Sequence, residues 1–163
     1  MASEPANLIE WVSTSAPGHG GRLFTCGRPG RATYRWQRVR VDDETIDLWV
    51  NGLPEADVLH VVSLLGKKRD GFSEFGYYPF RSSAEGGTQP TFQEWLDHCY
   101  GPRFVIHELP TVDARGIPTD QLQEASCLVL GLIRSGNTVV IVDSAGAERT
   151  ARVCEAMGYE RQT

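Results

Sequence analysis

The feature that most constrains this chain is the run TVVIVDSAGAERT at residues 138–150. Thr138–Val142 is β-branched throughout and apolar from Val139 on, the pattern of a buried strand. Asp143–Glu148 reads as a loop, and Arg149–Met157 as a terminal helix stopped by Gly158. A strand that runs through small residues into a helix can gather backbone N–H groups into an anion nest. Ser144, Ala145, Gly146 and Ala147 are small enough for that backbone to close on a ligand. Arg149 at the end of the loop can add a bidentate fork to a phosphate.

The rest of the chain supplies a sheet for this join to sit on. Arg22–Cys26 predicts a short strand closed by the turn GRPGR. Asp42-Asp43-Glu44 place negative charge at a helix start, with Ile46, Trp49, Val50 and Leu53 following at helical spacing. Asn51-Gly52 and Pro54 stop that helix. Asp57–Leu65 reads as a buried strand. Thr91-x-x-Glu94 is a capping box for helix 92–99, and Phe104–Ile106 is the next strand. Thr119 is expected to cap a helix whose Leu122, Ala125, Val129 and Leu132 share one face. Strands alternate with helices through the second half, which predicts an α/β sheet with parallel neighbours and ligands at the carboxyl ends of its strands.

Residues 1–21 end in the turn-rich STSAPGHGG and read as a flexible lead-in, although Leu8, Ile9, Trp11 and Val12 can dock on the core. The loop from Gly66 to Pro90 interleaves Lys67, Lys68, Arg69 and Arg81 with Phe72, Phe75, Tyr77 and Tyr78. It fits either an acidic or phosphorylated partner or an ordinary solvated loop.

Composition narrows the function classes. The net charge is −5, so the overall field does not attract nucleic acid or an anionic membrane. The apolar stretches are too short to span a bilayer, and the N-terminus lacks the basic region of a secretory signal. The four cysteines, Cys26, Cys99, Cys127 and Cys154, form no C-x-x-C pair. They read as reduced thiols of a cytoplasmic protein. His19, His60, His98 and His107 are scattered, so no metal and no cofactor is expected. Cys154 reads as a small core residue.

The 138–150 run resembles the signature loop of cysteine-dependent protein tyrosine and dual-specificity phosphatases: His-Cys, five residues, Arg, then Ser or Thr. Ser144-Ala145-Gly146, Arg149 and Thr150 match. Val142 stands at the histidine position, Glu148 where glycine is common, and Asp143 at the nucleophile position. A second stretch, His107-Glu108-Leu109-Pro110-Thr111-Val112-Asp113 followed by Gly116-Ile117-Pro118, looks like the family's general-acid loop. Asp113 takes the acid position, thirty residues before Asp143. RLFTCGRPG and ADVLHVVSLLG look like the family's first strands. The resemblance spans roughly residues 20–160. It implies a compact three-layer fold over residues 22–163, with a mostly parallel central sheet flanked by helices. It also implies a phosphate-binding loop of Ser144, Ala145, Gly146, Ala147, Glu148 and Arg149, and a phosphorylated protein or small phosphorylated ligand as partner.

Asp143 changes what the resemblance implies. In the family a low-pKa thiolate attacks phosphorus while loop amides and arginine hold the phosphate and an aspartic acid protonates the leaving group. A carboxylate in that place repels the phosphate. A −1 charge against a −2 charge at ~4 Å costs about 8 kcal/mol at an effective dielectric near 20. The reading that follows is a binding or regulatory pseudophosphatase. Two alternatives stand beside it: an active phosphatase whose catalytic cysteine has an engineered or variant replacement at Asp143, and an aspartate nucleophile assisted by a metal. In the first reading the Asp143 carboxylate fills the phosphate seat, held by Arg149 and loop amides.

Overall fold

The structure, a computed structural model, describes residues 6–15, 20–30, 41–66, 81–84, 86–112, 116–143 and 147–163. Its strands are β1 (Ile9–Ser13), β2 (Arg22–Gly27), β3 (Leu59–Ser63), β4 (Phe104–Glu108), β5 (Thr138–Asp143) and β6 (Tyr159–Arg161). Its helices are α1 (Asp43–Asn51), α2 (Phe92–Tyr100), α3 (Thr119–Arg134) and α4 (Glu148–Ala156). The class is α/β. Among the described residues the strands form one mixed sheet in the order β4-β3-β5-β2-β1-β6. The pairings β4–β3, β3–β5 and β5–β2 are parallel. β1 is antiparallel to both β2 and β6.

Side-chain alternation along β5 explains why both faces of the sheet carry helices. Val140 and Val142 join Phe24, Ile46, Trp49, Val61 and Phe104 in the core under α1 and α2. Val139 and Ile141 join Leu23, Val62, Val129, Ile133 and Val153 in the core under α3 and α4. All four β5 residues are buried, each worth about 1.5–3 kcal/mol of apolar transfer.

The helix ends follow local chemistry. The Asp42 side chain accepts the Thr45 N–H at 2.8 Å, and Asp43 and Glu44 occupy the first turn of α1. Thr91 caps α2 by accepting the Glu94 N–H at 3.2 Å, and its hydroxyl donates to the Glu94 carboxylate at 3.1 Å. The box therefore closes through side chains. Thr119 does not cap α3. Pro118 holds the N-cap position, and Thr119 is the first helical residue, because proline's fixed φ already presets the turn.

Two strands depart from the sequence reading. Ile9–Ser13, expected in the lead-in, is β1, so the sheet extends past the expected boundary at residue 21. Trp11 is buried there and donates its indole N–H to Thr25 Oγ1 at 2.9 Å. β6 is a three-residue edge strand, too short to show a period of two. Much of the 66–90 loop, including Lys67, Lys68, Arg69, Phe72, Phe75, Tyr77 and Tyr78, lies outside the described residues. No helix among the described residues is long and apolar enough to cross a membrane.

Candidate functional site

The helix that follows β5, α4, packs with α3 on one face of the sheet, while α1 and α2, which follow the neighbouring strands β2 and β3, pack on the other. Oppositely directed connections from adjacent strands leave a crevice at their carboxyl ends. Asp143 stands at the carboxyl end of β5. It is the last residue of β5, within the strand rather than in the loop after it, and is 2% exposed.

The Asp143 carboxylate has a definite occupation. Its Oδ2 accepts the backbone N–H of Thr150 at 3.0 Å. Thr150 is the third residue of α4, whose N-cap, Ala147, offers no side-chain acceptor. A first-turn N–H left open by the local sequence is thus satisfied from the strand end seven residues earlier. The negative charge also complements the positive end of the helix. The expected loop-amide ligation by Ser144, Ala145 and Gly146 concerns residues outside the described ones, as does the acid position, Asp113.

Arg149 is 3% exposed, and a buried guanidinium requires acceptors. Its Nη1 donates to the Leu64 carbonyl at 3.1 Å and to Thr111 Oγ1 at 3.1 Å. Thr111, itself buried, donates both its N–H, at 3.1 Å, and its hydroxyl, at 2.8 Å, to the same carbonyl. Leu64 in turn donates its N–H to the Val142 carbonyl at 2.8 Å. One junction therefore ties together the ends of β3 and β5, the segment that leads to position 113, and the first turn of α4.

The junction leaves no room for side chains at Gly66. A Cβ built there would stand 2.3 Å from the Thr111 carbonyl oxygen and 3.0 Å from its nitrogen. Thr150 Oγ1 is buried without a hydrogen-bond partner. Behind Asp143 lies Cys26, fully buried, whose thiol is pushed well above its ordinary value by burial and then by the Asp143 charge. Burial pushes the Cys154 thiol up in the same way. Neither supplies a thiolate at neutral pH. Arg28, 2% exposed, follows Gly27, the register partner of Asp143, and places a second buried guanidinium at the carboxyl end of the sheet.

Ala147 and Glu148 are exposed at the start of α4. Glu148 lines a cleft of about 580 Å³ together with Val112, Gly116, Ile117, Pro118, Gln121 and Arg152. The structure thus brings Asp143, Arg149 and Glu148 to one end of the sheet. Sequence reasoning gave no role to Thr111 or the Leu64 carbonyl. The signal for Thr111 was a lone hydroxyl between Pro110 and Val112, in a segment otherwise apolar after Glu108. Among the described residues no group of three or more His, Cys, Asp or Glu side chains converges as metal ligands do.

Comparison of the chain with protein-family models, with curated proteins and with solved structures finds no match.

Proposed function

We propose that this chain is a protein tyrosine phosphatase-like protein of the dual-specificity type, with the three-layer fold of that family. On this reading it is a pseudophosphatase that binds or regulates and does not hydrolyse. One observation carries the reading: the buried carboxylate of Asp143, the residue that the resemblance aligns with the nucleophile, accepts the N–H next to a buried arginine, Arg149. A strand, a small-residue loop and a helix with an inward arginine form an anion cradle. The carboxylate already engages the helix amide that such a cradle would turn toward an anion. The tether to Thr111 supports the assignment of residues 107–118 as the acid loop, because it draws Thr111 to the first turn of α4.

The chemistry of the residues favours binding over turnover. Attack by the Asp143 carboxylate on a phosphate dianion meets strong like-charge repulsion. The thiols of Cys26 and Cys154 are buried and protonated. The partner we assign is a phosphorylated protein or small phosphorylated ligand, and the free cysteines fit a reducing, cytoplasmic setting.

The experiment is a titration of the chain and its Asp143→Asn variant with inorganic phosphate, followed by calorimetry. Asn keeps the shape and removes the charge. The reading expects phosphate binding to Asp143→Asn at least about tenfold tighter than to the unaltered chain, a difference of about 1.4 kcal/mol. Equal or absent binding in both would reject the cradle.

A further inference from the structure

The cleft beside the site carries a chemistry of its own. Its lining includes the apolar side chains of Val112, Ile117 and Pro118, and its volume of about 580 Å³ is that of a small-molecule pocket. Among the described residues, three polar side chains line it: Gln121 from α3, and Glu148 and Arg152 from α4. Glu148 and Arg152 are one helical turn apart, in the order that ordinarily favours an intrahelical ion pair. They do not form one. Among the described residues, none of these three side chains is engaged in a hydrogen bond or an ion pair. An anion, a cation and an amide thus stand uncommitted in the lining of one cleft, together with apolar side chains.

We propose that this cleft binds an amino-acid zwitterion with an apolar side chain. Glu148 takes the ammonium group, Arg152 takes the carboxylate, and Val112, Ile117 and Pro118 cover the side chain. The opposite charges balance, so neither end of the ligand meets a net repulsive wall. An apolar monoanion or monocation would satisfy only one of the two. Both charged residues are exposed, so each ion pair is screened and its contribution modest, about two- to fivefold in affinity. The apolar lining supplies the rest. The cleft adjoins Arg149 through its chain neighbour Glu148 and through Arg152, three residues on, yet the inference uses no phosphate and does not depend on how Asp143 is read.

The test is a titration of the full, ¹⁵N-labelled chain, monitored through its backbone amide signals. Three probes share one phenyl ring: L-phenylalanine, phenethylamine, which lacks the carboxylate, and 3-phenylpropionate, which lacks the ammonium. The expected result is shifts at Val112, Ile117, Gln121, Glu148 and Arg152, with L-phenylalanine about two- to fivefold tighter than either analogue. Arg152→Gln should erase its advantage over phenethylamine and keep its advantage over 3-phenylpropionate. Glu148→Gln should do the reverse. Because both residues are exposed, neither change threatens the fold, and an unchanged amide spectrum checks that directly. Equal affinity for the three probes would overturn the proposal, as would the absence of shifts at these residues. Phosphate is left out of every sample, so failure here is separable from failure of the cradle.

Discussion

Thr111 Oγ1 accepts the Arg149 guanidinium at 3.1 Å while donating to the Leu64 carbonyl at 2.8 Å, joining residues 38 apart in sequence into one buried junction. The hydroxyl is the only group at position 111 that can both accept from Arg149 and donate to Leu64. Thr111→Val keeps the volume and removes both roles, taking one acceptor away from a buried guanidinium. Denaturant unfolding should show a loss of about 1–3 kcal/mol. Thr111→Ser should recover most of it. Equal stability of the Val and Ser variants would show that the junction contributes only packing.

Glycine at position 66 serves the same junction sterically. Gly66→Ala drives a Cβ into the Thr111 backbone and should cost about 1–3 kcal/mol. Gly131, in the interior of α3, has open space around its built Cβ, and alanine there should stabilise by about 0.5–1 kcal/mol. Thermal unfolding of the pair should therefore give shifts of opposite sign. An unchanged or raised midpoint for Gly66→Ala would contradict the close approach at Gly66.

His60 Nδ1 and His107 Nε2 lie 3.0 Å apart across the β3–β4 pair, with rings nearly parallel. Burial holds both imidazoles below their ordinary value. A side-chain hydrogen bond with Asn137 partly offsets this at His60, and the charge of His60 adds to it at His107. A lowered folded value means that the neutral form is the one folding favours. That contribution is complete above the ordinary value of about 6.5 and is lost as pH falls through the lower folded values. Stability measured from pH 7.5 down to 5 should fall, and the fall should be shallower in His107→Gln. Parallel profiles would show that the pair does not govern this range.

Much of the fold was legible because its signals were local. The β-branched run of β5, the Asp42 cap and the Thr91–Glu94 pair each announce an element within a few residues. β1 was not legible, because its place depends on Trp11 reaching Thr25 and on an antiparallel pairing with β2 that no short window contains. β6 was too short to show any period. At the site, Asp143 and Arg149 were marked by their spacing. Thr111 was not, since its role arises only when β3 and β4 bring Leu64 beside it. The histidine pair, 47 residues apart, was invisible for the same reason.

The thiols separate by burial. Cys99 and Cys127 are exposed, and Cys26 and Cys154 are buried with thiols pushed up by burial. Brief alkylation of the native chain near pH 7.5, read by peptide mass, should label Cys99 and Cys127 and spare the other two. Rapid labelling of Cys26 would show that the carboxyl end of the sheet opens readily.

The most direct test of the account is to put a thiol where Asp143 stands. The cradle reading predicts that Asp143→Cys gains hydrolysis of an aryl phosphate over the unaltered chain. The rate should be low, because Val142 replaces the neighbouring histidine and Glu148 adds negative charge. Adding Arg149→Ala should reduce that gain by about 100-fold or more, as expected for a lost transition-state donor. Alkylation of the new thiol should abolish it. A folded Asp143→Cys protein with no turnover above the unaltered chain would contradict the claim that residues 143–149 form a phosphatase cradle.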